Sequence, residues 1–147
     1  MKAYHIRWVI RRDFGLILDI ERTTRCPWDE ERLTETLRQR NAIAFVIDNE
    51  DGDVCGHMIY ELWPKRIHLR RIAVHPVFHR RGIASALVAR AKERVWNNGR
   101  TMLTAEVDES DLTSQLFLKS QGLRAIRPTK FDSVYRFRWL VESEVAK

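Results

Sequence analysis

The residues with most to offer chemically lie in one run, Ile72-Ala73-Val74-His75-Pro76-Val77-Phe78-His79-Arg80-Arg81-Gly82-Ile83-Ala84-Ser85. An apolar β segment ends at Val74, and Pro76, which has no N–H, stops a sheet ladder from continuing. A short loop then delivers Arg80, Arg81 and Gly82 to the first turn of a helix. That turn has N–H groups with no intrahelical acceptor and sits at the positive end of the helix dipole, so it attracts anions. Gly82 lets a ligand approach the main chain, and Ala84 is small for the same reason. Two arginines add charge-assisted hydrogen bonds to phosphate oxygens. The pattern reads as a pyrophosphate cradle. An ordinary strand–loop–helix connection with solvated arginines is the competing explanation.

Composition narrows the setting. At 147 residues, with 44% hydrophobic and 31% charged side chains, the chain has the length and balance of one soluble domain, taken as residues 1–147. It carries 26 Lys and Arg against 20 Asp and Glu, a net charge of +6 that suits a phosphate-bearing cosubstrate, an acidic protein or a nucleic acid. No nucleic-acid motif or aromatic platform accompanies that charge, so no nucleic-acid partner is expected. No apolar run approaches the roughly 18 residues of a membrane span, and Met1–Arg7 lacks an apolar signal core. No membrane association and a cytoplasmic location are therefore expected. Cys26 and Cys55 have no second cysteine or histidine at metal-ligand spacing; they read as reduced thiols, and no metal is expected.

The elements that must position the loop follow from periodicity. Tyr4 to Ile10 reads as an edge strand and Asp13 as a helix start, with Phe14, Ile17, Leu18 and Ile20 on the first helix. Asp29 opens a second helix carrying Leu33 and Leu37. Ala42 to Asp48, Val54 to Trp63 and Ile67 to Val74 form a meander, with a turn at Asn49-Glu50-Asp51-Gly52-Asp53. Ile83, Leu87, Ala91 and Val95 mark a helix ending near Gly99. Met102 to Val107 is a strand, Asp111 to Ser120 a helix closed by Gly122, and Leu123 to Arg127 pairs with Ser133 to Leu140 in a closing hairpin. This order predicts a mixed α/β domain with a largely antiparallel sheet.

His79-Arg80-Arg81-Gly82-Ile83-Ala84 resembles the acetyl-CoA loop of the GNAT N-acetyltransferase superfamily, whose pattern is Gln or Arg, two residues, Gly, one residue, then Gly or Ala. His79 departs from it. The lead-in Ile72-Ala73-Val74-His75-Pro76 is similar to the family's fourth strand, and the resemblance implies that Ile72, Ala73 and Val74 offer backbone hydrogen bonds to pantetheine. It likewise implies that His79 to Ser85 hold the phosphates of acetyl-CoA. Ala105-Glu106-Val107-Asp108-Glu109-Ser110-Asp111, then Phe117-Leu118 and Gly122-Leu123, is similar to the second block of the bacterial ribosomal-protein-alanine N-acetyltransferases. Ile20-Glu21 and Pro27-Trp28-Asp29-Glu30 resemble that subfamily's acceptor-side loop. The implied fold is the GNAT fold, and the implied reaction moves acetyl from acetyl-CoA to a primary amine. A protein N-terminal α-amine is the first expectation. A small amine such as a polyamine or antibiotic, or a regulatory module that binds acyl-CoA without turnover, are the alternatives.

Acyl transfer needs a neutral amine and a way to protonate the leaving thiolate. Glu106 stands where the subfamily places its general base, and alternation turns it away from Ala105 and Val107. Leu118 stands where the subfamily has a tyrosine acid. This leaves the proton to water, or to His68, Tyr135 or Tyr60. Asp111 reads as a helix N-cap at a position the subfamily uses to contact pantetheine. The acceptor-side segment Arg127–Ser133 lacks the paired tyrosines common in that subfamily.

Overall fold

The computed structural model describes residues 3–126 and 133–141. The elements run β1 (Tyr4–Trp8), α1 (Phe14–Glu21), α2 (Glu30–Leu37), β2 (Ala42–Asn49), β3 (Val54–Leu62), β4 (Arg66–Val74), α3 (Ile83–Asn97), β5 (Met102–Asp108), α4 (Leu112–Ser120), β6 (Arg124–Ile126) and β7 (Val134–Leu140). This is the order expected from the sequence. A 7-stranded sheet has the strand order β1-β2-β3-β4-β5-β7-β6. It is mixed and largely antiparallel; β4 and β5 run parallel, and α3 is the crossover that a parallel pair requires. The chain groups into two compact units: residues up to Glu61 with Arg71–Leu87, and Leu62–Arg70 with the residues from Val88 onward.

In the first unit β1 pairs with β2, from Tyr4↔Asn49 to Trp8↔Phe45, and β2 with β3, from Ala42↔Glu61 to Asp48↔Val54. Ile17, Trp28, Leu33, Val46 and Ile59 form a buried cluster, so the apolar stripes of α1 and α2 and one face of the strands share one core. Asp29 caps α2 as expected, accepting from the Arg32 N–H at 2.8 Å. Asp13 does not cap α1 with its side chain. Its carboxylate turns back to accept from the Ile10 N–H at 2.8 Å and to take both terminal nitrogens of Arg7, at 2.8 and 2.9 Å. A short 3-10 turn at Arg11–Asp13 explains this, because it leads directly into α1 and leaves Asp13 already helical. Gly56 on β3 is required by close approach: a Cβ there would stand 2.9 Å from the Ala73 carbonyl oxygen.

The same unit holds a buried polar network that the chain order does not advertise. Glu21, at the end of α1, and His57, on β3, are each 1% exposed. One Glu21 oxygen lies 2.7 Å from His57 Nε2, while the other accepts from the Trp28 N–H at 2.8 Å and from Arg71 Nη2 at 2.7 Å. Arg71 Nη2 also donates to the Thr24 hydroxyl at 3.0 Å and the Cys26 carbonyl at 3.2 Å. The connection between α1 and α2 is thus tied to β4 through one carboxylate. Burial alone would raise the Glu21 pKa; the hydrogen bonds from His57, Arg71 and the Trp28 N–H outweigh it and hold the group down at about 2, against an ordinary 4.5.

In the second unit β4 pairs with β5 from Arg66↔Met102 to Leu69↔Ala105. β5 pairs with β7 from Met102↔Leu140 to Asp108↔Val134, and β6 with β7 from Arg124↔Arg138 to Ile126↔Arg136. Leu103, Ala105, Val107, Phe137 and Trp139 are buried together with Leu118 and Leu123. Alternation therefore sends Thr104, Glu106, Arg136 and Arg138 to the opposite face.

Because the native Glu21 pKa is depressed, its contribution of about 3 kcal/mol is present above pH 4.5 and is lost as pH falls toward about 2. Glu21→Gln should cost about 3–5 kcal/mol at pH 7, since Arg71 loses its counter-charge and His57 Nε2 loses its carboxylate partner. Urea unfolding from pH 7 to pH 3 checks both: wild type loses stability across this range, and the variant shows a flatter acid limb.

Candidate active site

The loop after β4 is held by its own side chains. The His75 N–H donates to the Cys55 carbonyl at 2.9 Å, and His75 Nδ1 accepts from the Val77 N–H at 3.2 Å inside the 3-10 turn Pro76–Phe78. His79 Nε2 donates to the Val74 carbonyl at 2.9 Å, folding the loop back on the strand end. The histidine that departs from the expected Gln or Arg is therefore a brace between the loop and β4. Arg80 follows at φ 64° and Gly82 at φ 75°. Arg80 is the one non-glycine with positive φ among the described residues, a conformation that costs about 1–2 kcal/mol. Strain of this kind marks a main chain arranged for a purpose, and alternating left-handed residues turn N–H groups into an anion-binding concavity.

Helix α3 begins at Ile83, and the Gly82 carbonyl accepts from the Ala86 N–H at 2.9 Å. Arg80, Arg81 and Gly82 thus precede the first turn rather than lying within it, and Ile83, Ala84 and Ser85 form it. A Cβ at Gly82 would meet nothing within 4 Å, so the concavity is open on that side. Ile72 and Val74 are half-buried and Ala73 is buried, all three beyond the last recorded β4–β5 pair, Leu69↔Ala105.

The acyl-transfer candidates belong to the other unit. His68 Nδ1 lies 2.8 Å from the Thr104 hydroxyl oxygen, its register partner. Glu106 is exposed, and Arg136 Nε sits 3.3 Å from its Oε1. His68, Thr104 and Glu106 share one face of the sheet. Tyr135 is the partner of Val107, which turns it to the other face, so the structure does not bring it beside Glu106. Leu118 is 5% exposed. Asp111 caps α4: Oδ1 accepts from the Ser114 N–H at 3.1 Å and Oδ2 from its hydroxyl at 2.7 Å. Tyr60 is 3% exposed and packs on Phe45, with ring centroids 5.7 Å apart. Both cysteines are free thiols, Cys26 exposed and Cys55 buried; burial, then Asp53 and Asp48, push Cys55 up to about 11, which leaves it unreactive at neutral pH. No cluster of three or more metal-ligating side chains is found among the described residues. Arg127–Asp132, most of the expected acceptor-side segment, lies outside the described residues.

The family model for the GNAT acetyltransferases matches residues 6–123, most of the chain and the whole of the loop. The chain belongs to the GNAT acetyltransferase family. It is an acetyltransferase that uses acetyl-CoA as cosubstrate. No curated protein sequence matches it. Among solved structures, the ribosomal-protein-S18-alanine N-acetyltransferase of Escherichia coli is 19% identical with a TM-score of 0.81, over 95% of this chain and 94% of that one. A GNAT-family protein from Desulfovibrio desulfuricans is 21% identical with a TM-score of 0.80, over 95% and 99%. The spermidine/spermine N-acetyltransferase of Vibrio cholerae is 14% identical with a TM-score of 0.76, over 97% and 96%. These likenesses establish the GNAT fold. No helix among the described residues is long and apolar enough to cross a membrane.

The loop suits the phosphates of acetyl-CoA: it combines an open glycine, two guanidinium groups and a helix N-terminus. Gly82→Asp, which adds a negative side chain there, should abolish acetyl-CoA binding in calorimetry while the protein stays folded. Arg80→Gly should raise stability by up to about 1 kcal/mol by releasing the left-handed strain, and weaken acetyl-CoA binding by removing a cation. Unchanged affinity in a folded Gly82→Asp protein would remove the loop from the site.

Proposed function

We propose that this chain is a single-domain N-acetyltransferase acting on a protein N-terminal α-amine, of the ribosomal-protein-alanine type. The observation that carries the reading is the strained loop, with Arg80 and Gly82 at positive φ directly ahead of α3. The block around Glu106 that resembles the alanine N-acetyltransferases supports the choice of acceptor.

Acetyl-CoA, when bound, supplies the thioester carbonyl that the amine attacks. An α-amine has a pKa of about 7.7–8.0, so at neutral pH most of it is protonated and a base must take a proton. We assign that role to Glu106, an exposed strand residue whose Oε1 lies 3.3 Å from Arg136 Nε. His68, hydrogen-bonded to Thr104, is the polar group on the same face that can pass a proton. Asp111 sets the start of α4, and its side chain is already engaged by Ser114.

Thiol release from acetyl-CoA, measured with N-terminal peptides, lysine peptides and polyamines, tests the reading; fastest turnover with an N-terminal peptide is expected. Faster turnover with a polyamine assigns the small-amine alternative. Tight acetyl-CoA binding without release to any amine assigns the regulatory module. Glu106→Gln should lower kcat about 10²-fold at neutral pH and leave acetyl-CoA affinity intact. A variant with the wild-type pH–rate profile would return Glu106 to an ordinary solvated strand residue.

A further inference from the structure

The face that carries His68 and Glu106 is lined with arginine. One row across the strands reads Arg124, Arg138, Thr104, His68, and the next reads Ile126, Arg136, Glu106. Arg66 lies on the same face of β4, with Nη1 at 3.4 Å from the Thr104 hydroxyl. Among the described strand residues, the acids on this face are Glu106, which pairs with Arg136, and Asp108, whose Oδ1 accepts from the Ser110 N–H at 2.8 Å and from its hydroxyl at 2.6 Å. Arg124 and Arg138 are both exposed and directly opposite each other, and neither is paired with a carboxylate among the described residues. Like charges facing across two strands repel, so this arrangement works against the isolated sheet. An anion laid across the pair relieves that repulsion.

The geometry points to an acceptor whose residues after the amine are acidic: a protein N-terminus with Asp or Glu at about its second to fourth positions. This rests on the N-terminal reading above and names its substrate class. Neighbouring strands lie about 4.8 Å apart, so β7 is one such step from Glu106 and β6 two, while an extended peptide advances about 3.3 Å per residue. An amine beside Glu106 therefore carries its next few side chains over Arg138 and Arg124. Guanidinium groups accept carboxylates through paired hydrogen bonds, which fixes direction as well as charge. A polyamine meets repulsion on the same rows. A nucleic acid finds no stacking platform on them, because Tyr135, Phe137 and Trp139 alternate to the other face.

The test uses the full chain with acetyl-CoA and three peptides that begin with Ala and carry Asp/Glu, Ser, or Lys/Arg at positions 2–4, with spermidine alongside. The acidic peptide should exceed the basic one in kcat/KM by about tenfold or more, mainly through KM, and the gap should narrow as salt screens the charges. Arg124→Glu with Arg138→Glu should invert the order. Arg124→Gln should halve the gap or more, and serves together with the wild-type salt dependence if the double variant does not fold. Equal rates for the three peptides, or a preference for the basic peptide or spermidine, overturn the acidic acceptor and leave the acetyltransferase reading standing. No thiol release with any amine overturns both. A single-stranded RNA oligonucleotide that binds more tightly than the acidic peptide, and loses that binding in the same variants, assigns the face to nucleic acid and overturns the proposal.

Discussion

The Glu21 carboxylate is the interaction on which the first unit depends. A buried carboxylate costs several kcal/mol in desolvation unless its oxygens are matched by donors. Here His57, Arg71 and the Trp28 N–H supply them, drawn from β3, β4 and the α1–α2 connection. The site at the C-terminal end of α1 is the wrong end of a helix dipole for an acid, so Arg71 must offset that as well. The consequence is directional. Arg71 sits on β4 just ahead of Ile72, Ala73 and Val74, so the strand that leads into the loop before α3 is anchored by the same ion pair that fixes the connection after α1.

That anchoring bears on the strain downstream. A left-handed arginine persists only where its surroundings over-determine it. The His79 ring holds the Val74 carbonyl, the His75 N–H holds the Cys55 carbonyl, and Gly82 enters α3 as its cap. Between these fixed points the chain has few conformations left, and Arg80 takes a left-handed one at φ 64°. The glycine supplies freedom at no steric cost, while the arginine supplies charge at the cost of strain.

How much of this was legible in the sequence depends on the range over which each feature is specified. The element order, the caps at Asp29 and Asp111 and the glycine of the loop are local, and the structure has all of them. Asp13 stands at the start of α1 as its composition implies, but its carboxylate is taken by Arg7 and the Ile10 N–H and does not cap the helix, and that partner on the preceding strand leaves no local sign. The Glu21–His57–Arg71 network joins residues far apart in the chain, which no periodicity reports. Its one local sign was Arg71 interrupting the apolar face Ile67, Leu69, Ala73 of β4. The orientation of Tyr135 was readable, since period-two counting from Phe137 and Trp139 turns it inward. The positive φ of Arg80 was not, because left-handed geometry at a non-glycine leaves no mark in composition.

The leucine at position 118 is consistent with the rest of the site. It is 5% exposed, and a phenol buried there would need a hydrogen-bond partner for its hydroxyl. The reaction does not require that phenol. A thiol leaving group has a pKa near 8.5, so the C–S bond can break to give a thiolate that water protonates afterwards. The amine is the harder partner, because it must lose a proton before or during attack. The demand on the protein therefore falls on the base side, the role proposed for Glu106, which shares a sheet face with His68 and Thr104 and has Arg136 at 3.3 Å. With the acid side left to solvent, selectivity in the proposed mechanism rests on what guides the amine to that face, and the groups proposed to guide it are Arg124 and Arg138.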